Sequence, residues 1–491
     1  MRSISKYLTN KWLFTTIMGN SHFFSKKEIT MQNRKAMILH AAEETERRVA
    51  KNAEALSQSA KLTDYIDEVY TVLRDGKAFP VWTRALQRAL DENEVVEIPS
   101  SETPYDLDGS VLIGGNTKII AYGATVRLLP DVNVLMLRNK NVKDGTHIQT
   151  EMGKDTDENI AIFGGTWEES REFRLGYGRS GMFDENRSMY GVSTCMLFSN
   201  VKNLFLKDLT FRHTAGFSVQ IGNARDIVVH DIYFDRCFAD GIHVNGNTED
   251  IAVRNLSGRV GDDLIALNMY DWQDSSINFG PLKNAFVEGI EIDPNGCIKD
   301  IRILPGIYRF DNGETVDCSL ENVLIRKVHG VQCFKLYYQT PAYKIGEEPE
   351  WGAPGSGDHI YFEDIDVVSR HDNMKSYKEN DPITGRFGAW EVCSNIGLLH
   401  LENIRIVRNT ERFPLGKPVS IGPKSVSFDG REIFDPYASC VLKHLVMKNV
   451  TVNGAPVLTA EEAAHEIVFD HIYDAPNTSG KGEILAFTLE K

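Results

Sequence analysis

Two short acidic segments carry the residue types best suited to bond-breaking chemistry: FADGIHV, with Asp240, and GDDLIALN, with Asp262 and Asp263. Like charges at close range oppose ionisation, so three carboxylates gathered at one place are costly to hold. A fold tolerates that cost where the charges do chemistry, and cutting a glycosidic bond needs two carboxyl groups. Asp240 and Asp262 lie 22 residues apart, each in the same part of a repeat. That spacing predicts one turn of a coil, with Asp240 and Asp262 neighbours on an outer face and Asp263 one residue further on. Successive strand residues point to opposite faces, so the adjacent pair must occupy a bend or bulge.

The elements that would hold these acids are short and β-rich. From about Tyr105 onward, runs such as NLFLKDLTF (from Asn203), DIVVHDIYF (Asp226) and DIAVRNLSG (Asp250) recur, with starts 23 and 24 residues apart. DIRIL (Asp300), NVLIRKVHG (Asn322), HIYFEDIDV (His359), LLHLENIRI (Leu398), HLVMKNVTV (His444) and HEIVFDHIY (His465) continue the series. The step from Asp250 to Asp300 reads as two periods, and longer gaps read as inserted loops. A repeat of this length without intervening helices indicates a β-solenoid; a leucine-rich repeat lacks its leucine ladder here. The expected fold is all-β, a right-handed parallel β-helix over residues 76–491, preceded by a helical extension over 1–75. Residues 31–75 read as helix, and Val81–Asn93 as an amphipathic helix able to cover the open end of the stacked sheet.

The two acidic segments resemble those of the polygalacturonases, glycoside hydrolase family 28 of the pectin-lyase-like class. That family carries NTDG, a DD pair about one coil later, then GHG and RIK segments. CFADGIHV keeps Asp240 and Gly241 with Ala239 in place of Thr, GDDLIALN matches the second segment, and IFGGTWEES from Ile162 is similar to an early strand and loop. The resemblance implies inverting hydrolysis in which Asp262 protonates the leaving oxygen while Asp240 and Asp263 activate water. An inverting pair needs a gap of roughly 6.5–9.5 Å, more than one rung alone supplies. No GHG or plain RIK follows; VHGVQCFKLYYQTP offers His329 or Lys335 for those roles. The family's cation binds the galacturonate carboxylate, so the sugar here is open to a rhamnogalacturonan, a decorated pectic oligosaccharide or a neutral glycan.

Other candidates for a sugar site are Tyr270 and Trp272 after the DD strand, Tyr308 and Arg309, Tyr337 and Tyr338 after Lys335, Trp390 and Glu391, and His243 beside the DG pair. Each has a packing role as its plain alternative. No glycine-rich calcium repeat occurs, so neither a metal nor a cofactor is expected. Two other functions compete: a lyase or epimerase on the same fold, with Lys335 as base, and a non-catalytic glycan-binding β-helix.

A net charge of −15 lacks the basic footprint of a nucleic-acid binder and is awkward for an enzyme acting on a polyanion. The expected partner, implied by the resemblance, is a poly- or oligosaccharide, with no nucleic acid and no membrane; the oligomeric state is not legible. Seven cysteines without a CxxC pair favour a reduced, cytoplasmic setting. The basic, briefly apolar N-terminus, MRSISKYLTNKWLFTTIMGN, makes only a weak secretory signal.

Overall fold

Asparagine and aspartate in left-handed backbone set the corners of the coil. Asn203, Asp226, Asp250, Asn284 and Asn322 all have φ between 57° and 62°, a region these short polar side chains tolerate better than other non-glycine residues. They stack on successive rungs, because the residues after them pair in register as Leu204, Ile227, Ile251, Ala285 and Val323. Their side chains bond along the stack, Asn284 donating to Asp250 at 2.9 Å and Asn322 to Asn284 at 3.0 Å. From Asp250 to Asn322 the corner side chains thus bond to one another while turning the chain.

The computed structural model describes residues 31–490 apart from 131, 133, 143–154, 170–193, 272–275, 294–299, 310–311, 338–352, 369–387, 409–416, 423–424, 429–430, 435–439 and 467–481. The strands coil as a right-handed parallel β-helix. Strand alternation sends every second side chain inward. Leu206, Val229, Val253, Val287, Ile325, Phe362, Leu401 and Met447 form one such inward stack, all buried. The step along the chain is 23 residues at the first of these pairs and 46 at the last.

Insertions therefore change the expected register. The strand stacked on Thr248–Gly258 is Leu282–Ile292, whereas Asp300–Leu304 pairs with Asp263–Asn268. DIRIL is thus a rung above the acidic pair, not a second copy above DIAV.

The N-terminal helix is shorter than expected. Helix α1 spans Met31–Ala55, followed by a strand (Ser59–Lys61) on Val95–Glu97, a 3-10 segment (Leu62–Glu68) and an antiparallel hairpin. That hairpin turns at Asp75 and Gly76, both at positive φ, the usual chemistry of a tight β-turn. Helix α1 buries Ile38, Ala42, Thr45, Val49 and Ala53 at helical spacing. They rest on an outward apolar column that includes Phe205, Val228, Ala252, Phe286, Leu324 and Tyr361. Arg48 pairs with Asp226, Lys35 with Glu402, and Glu46 with Arg254 and His230. Helix α2, Thr83–Glu92, buries Ala85, Leu86, Ala89 and Leu90 against the first rungs, as expected of a cap. Among the described residues no helix is long and apolar enough to cross a membrane.

His400 lies buried where α1 crosses its rung, and burial, then the charge of Lys35, hold its pKa below the ordinary 6.5. Because the folded value is lowered, the unfolded chain takes up this proton first as pH falls. Stability from this group is present above pH 6.5 and declines below it. Replacing His400 with leucine should flatten the pH dependence of the unfolding midpoint between neutrality and pH 5. An unchanged slope would remove His400 from that role.

Candidate active site

The acidic segments meet on adjacent rungs, but in a different pairing from the one their 22-residue spacing suggests. Ile242 is paired with Ile265, a step of 23 residues, so Asp263 rather than Asp262 stands over Asp240. The Asp263 N–H donates to Asp240 Oδ1 at 3.1 Å, and the Gly241 N–H to the Asp263 carbonyl at 2.9 Å. Between Asp263 and Ile265 the pairing to the next strand shifts by one residue, a bulge at the point where alternation had to break. One oxygen from each of Asp240, Asp262 and Asp263 lies within 4.8 Å of the others. Asp240 and Asp263 are buried, while the Asp262 side chain keeps 16% of its surface exposed.

Two glycines allow the rungs to close at this point. A Cβ added at Gly261 would stand 1.9 Å from the Phe238 carbonyl oxygen, and one at Gly241 would stand 2.5 Å from that of Leu264. Backbone atoms cannot swing aside as a side chain can. Gly261→Ala is therefore expected to cost about 1–3 kcal/mol of stability, read by urea unfolding. A variant as stable as the wild type would mean that the approach is not tight.

The decisive counter-charge is Arg302, which sequence reasoning passed over. Its Nη2 donates to Asp262 Oδ1 at 3.1 Å, and its Nε lies 2.7 Å from Asp263 Oδ2. Arg302 projects outward between the buried Ile301 and Ile303. One outward column runs in register through Gln220, His243, Ala266, Arg302, Lys335, Glu391 and Ser420. The signal was present as charged residues alternating with apolar ones in IHV, IRI, FKL and WEV, but their stacking depended on loop lengths. The three aspartate oxygens are close enough for a cation, yet a guanidinium already supplies positive charge to two of them.

The other predicted residues divide. His243 belongs to the site, its Nδ1 2.7 Å from Asp240 Oδ2 and its ring stacked on Phe217 at 3.9 Å. Lys335 stands one rung beyond Arg302 and is ion-paired with Glu391. His329 does not join them. It lies on the other ladder between Glu291 and Asp366, half exposed, with Nδ1 3.0 Å from Asp366 Oδ2. Nor is Tyr270 a cleft wall, because it is buried with Phe279 and Tyr308, and the Gly306 backbone lies against its ring. Trp272 and Tyr338, and the side chains of Arg309 and Tyr337, lie outside the described residues. Asp271, which no motif singled out, lies with Oδ2 3.3 Å from His243 Nε2 and accepts from Asn268 Nδ2 at 2.8 Å.

No protein-family model and no curated protein matches this chain. Among solved structures it is similar to a mutant tailspike protein of E. coli bacteriophage HK620 in complex with hexasaccharide, with TM-score 0.51 and 9% identity over 88% of this chain. The chain spans 65% of that tailspike's length, under two thirds. It also matches the Family 28 exopolygalacturonase of Yersinia enterocolitica at 13% identity and TM-score 0.42, covering 88% of this chain and 78% of that one. At such identity the tailspike match speaks for architecture alone, and that architecture is the right-handed parallel β-helix.

Proposed function

We propose that this protein is a glycoside hydrolase, similar in mechanism to the polygalacturonases, that cleaves a poly- or oligosaccharide with inversion. The observation that carries this reading is the convergence of Asp240, Asp262 and Asp263 on adjacent rungs beside Arg302. Asp262 is the general acid, because it alone of the three has surface open to a substrate. Asp240 and Asp263 hold and deprotonate the attacking water. The tailspike's complex with hexasaccharide adds support for a carbohydrate ligand on this fold.

Two effects oppose each other on stereochemistry. The closest oxygens, within 4.8 Å, are nearer than the roughly 6.5–9.5 Å usual for an inverting pair. Against this, a nucleophilic carboxylate must touch the anomeric carbon, and both partners of Asp262 are buried. A water molecule can enter where a sugar ring cannot, so inversion is expected. Proton NMR of the first-formed anomer checks it; a retained anomer would assign a covalent nucleophile instead.

Charge pairing bears on the sugar. Arg302 is engaged by two aspartates and Lys335 by Glu391. Among the described residues, these two cations of the column beside the acids thus already have carboxylate partners, which favours a neutral glycan over galacturonan. The same pairing weighs against a lyase, since a lysine held as its ammonium has no lone pair with which to abstract a proton.

The test is a glycan panel digested by the wild type and by Asp262→Asn. New reducing ends, no rise in absorbance near 235 nm, and a loss of about 100-fold or more in the variant are expected. An unsaturated product would indicate a lyase. Equal cleavage by both proteins, or cleavage by neither, would overturn the assignment.

A further inference from the structure

His243 is more than a wall of the site, because its surroundings select one protonation pattern. Its Nδ1 lies 2.7 Å from Asp240 Oδ2. Among the described residues its Nε2 has two polar neighbours, Asn245 Nδ2 at 3.2 Å and Asp271 Oδ2 at 3.3 Å. The orientation of Asn245 is not free. Its Oδ1 accepts from Gln220 Nε2 at 2.8 Å and from the Ile277 N–H at 3.1 Å, so the amide nitrogen must face the ring. That nitrogen also donates to the Asn268 carbonyl at 3.1 Å, leaving its second hydrogen for His243 Nε2. An imidazole that accepts at Nε2 carries its proton on Nδ1, where it donates to Asp240.

Resting on the hydrolase reading above, we infer that His243 is a positioning residue. Held as the Nδ1–H tautomer by Asn245 and stacked on Phe217, it aligns Asp240 as the group that orients the attacking water. Asp240 Oδ2 is fixed by the imidazole and Oδ1 by the Asp263 N–H, so the carboxylate cannot rotate. Gln220 and Ala266 flank His243 on the neighbouring rungs, and Arg302 follows Ala266. The charged groups on its ring nitrogens are Asp240 and Asp271. His243 is fully buried, so it acts through Asp240.

The experiment has two readouts. In protein labelled with 15N-histidine, the His243 resonances, identified by their absence from His243→Asn, should report a protonated Nδ1 and an unprotonated Nε2. A proton on Nε2, alone or in an imidazolium shared with Asp271, would overturn the inference. The second readout compares two amides. Asparagine places its nitrogen near the position of Nδ1, whereas glutamine reaches that of Nε2. The donor to Asp240 should therefore survive in His243→Asn, while His243→Gln loses about 10- to 100-fold in kcat with KM unchanged. A space-filling role predicts the opposite order, because glutamine is closer to histidine in volume. If the wild type cleaves nothing, the hydrolase reading fails, and the spectrum still decides whether His243 donates to Asp240.

Discussion

Arg302→Met should remove glycan cleavage as completely as Asp262→Asn does, and should also destabilise the fold by about 3–5 kcal/mol. Arg302 is buried and divides its guanidinium between Asp262 and Asp263. Deleting it leaves two carboxylates, already close to a third, without the positive charge that offsets their desolvation and mutual repulsion. Removing one partner of a buried pair costs more than the intact pair contributes, since the surviving charge stays buried. Arg302→Lys should recover little, because one ammonium cannot match a guanidinium that meets two separate carboxylates. Urea unfolding and reducing-end release on the same samples give both effects. The stability loss should shrink in Arg302→Met combined with Asp263→Asn, which removes one of the two orphaned charges. A single variant with wild-type stability and activity would show that the guanidinium does not hold the site.

What the sequence disclosed follows the range of each interaction. Left-handed corners at Asn203, Asp226 and Asp250 are local chemistry, so the coil was legible from its punctuation. The bulge at Asp263 was legible too, because two adjacent aspartates cannot both face outward from a regular strand. Register was not, since it depends on loop lengths that the sequence does not weigh. The one-residue difference that seats Asp263 over Asp240 had no local mark. DIRIL was recognised as a strand but assigned to the wrong ladder, which hid Arg302 from the acids it pairs with. Tyr270 and His329 failed for a related reason. An aromatic or a histidine near a motif in sequence acquires a role only from the face it occupies, and these two face the core and the other ladder.

Removing residues 1–55 should convert the protein into a self-associating species, and the reason lies in the surface that α1 covers. A helix of 25 residues is about 37 Å long, enough to cross roughly eight rungs of the coil. Beneath it the outward column is apolar, with Phe205, Val228, Phe286, Leu324 and Tyr361 all buried. Uncovered, that column would be a continuous hydrophobic stripe, a surface that soluble monomers rarely expose. A milder change tests the same contact without deletion. Ile38 is buried against the column, and Ile38→Ala should cost about 2–5 kcal/mol. Charge steers the docking as well as apolar contact. Burial pushes the pKa of Glu402 up, but its bonds to Lys35 and Lys448 prevail and hold it below the usual carboxylate range. Glu46 is likewise pushed up by burial, and its bonds to His230 and Arg254 hold it low. Both contributions are therefore present above the ordinary value of 4.5 and are lost as pH falls through the lowered folded values. Acid should loosen α1 before it unfolds the coil, whose inward stack from Leu206 to Met447 carries no charge. Hydrogen exchange measured through an acid titration should show Met31–Ala55 losing protection first, and size-exclusion chromatography should show the truncated chain as oligomers. A truncated chain that stays monomeric, with an unchanged melting temperature, would mean that α1 is only an appendage.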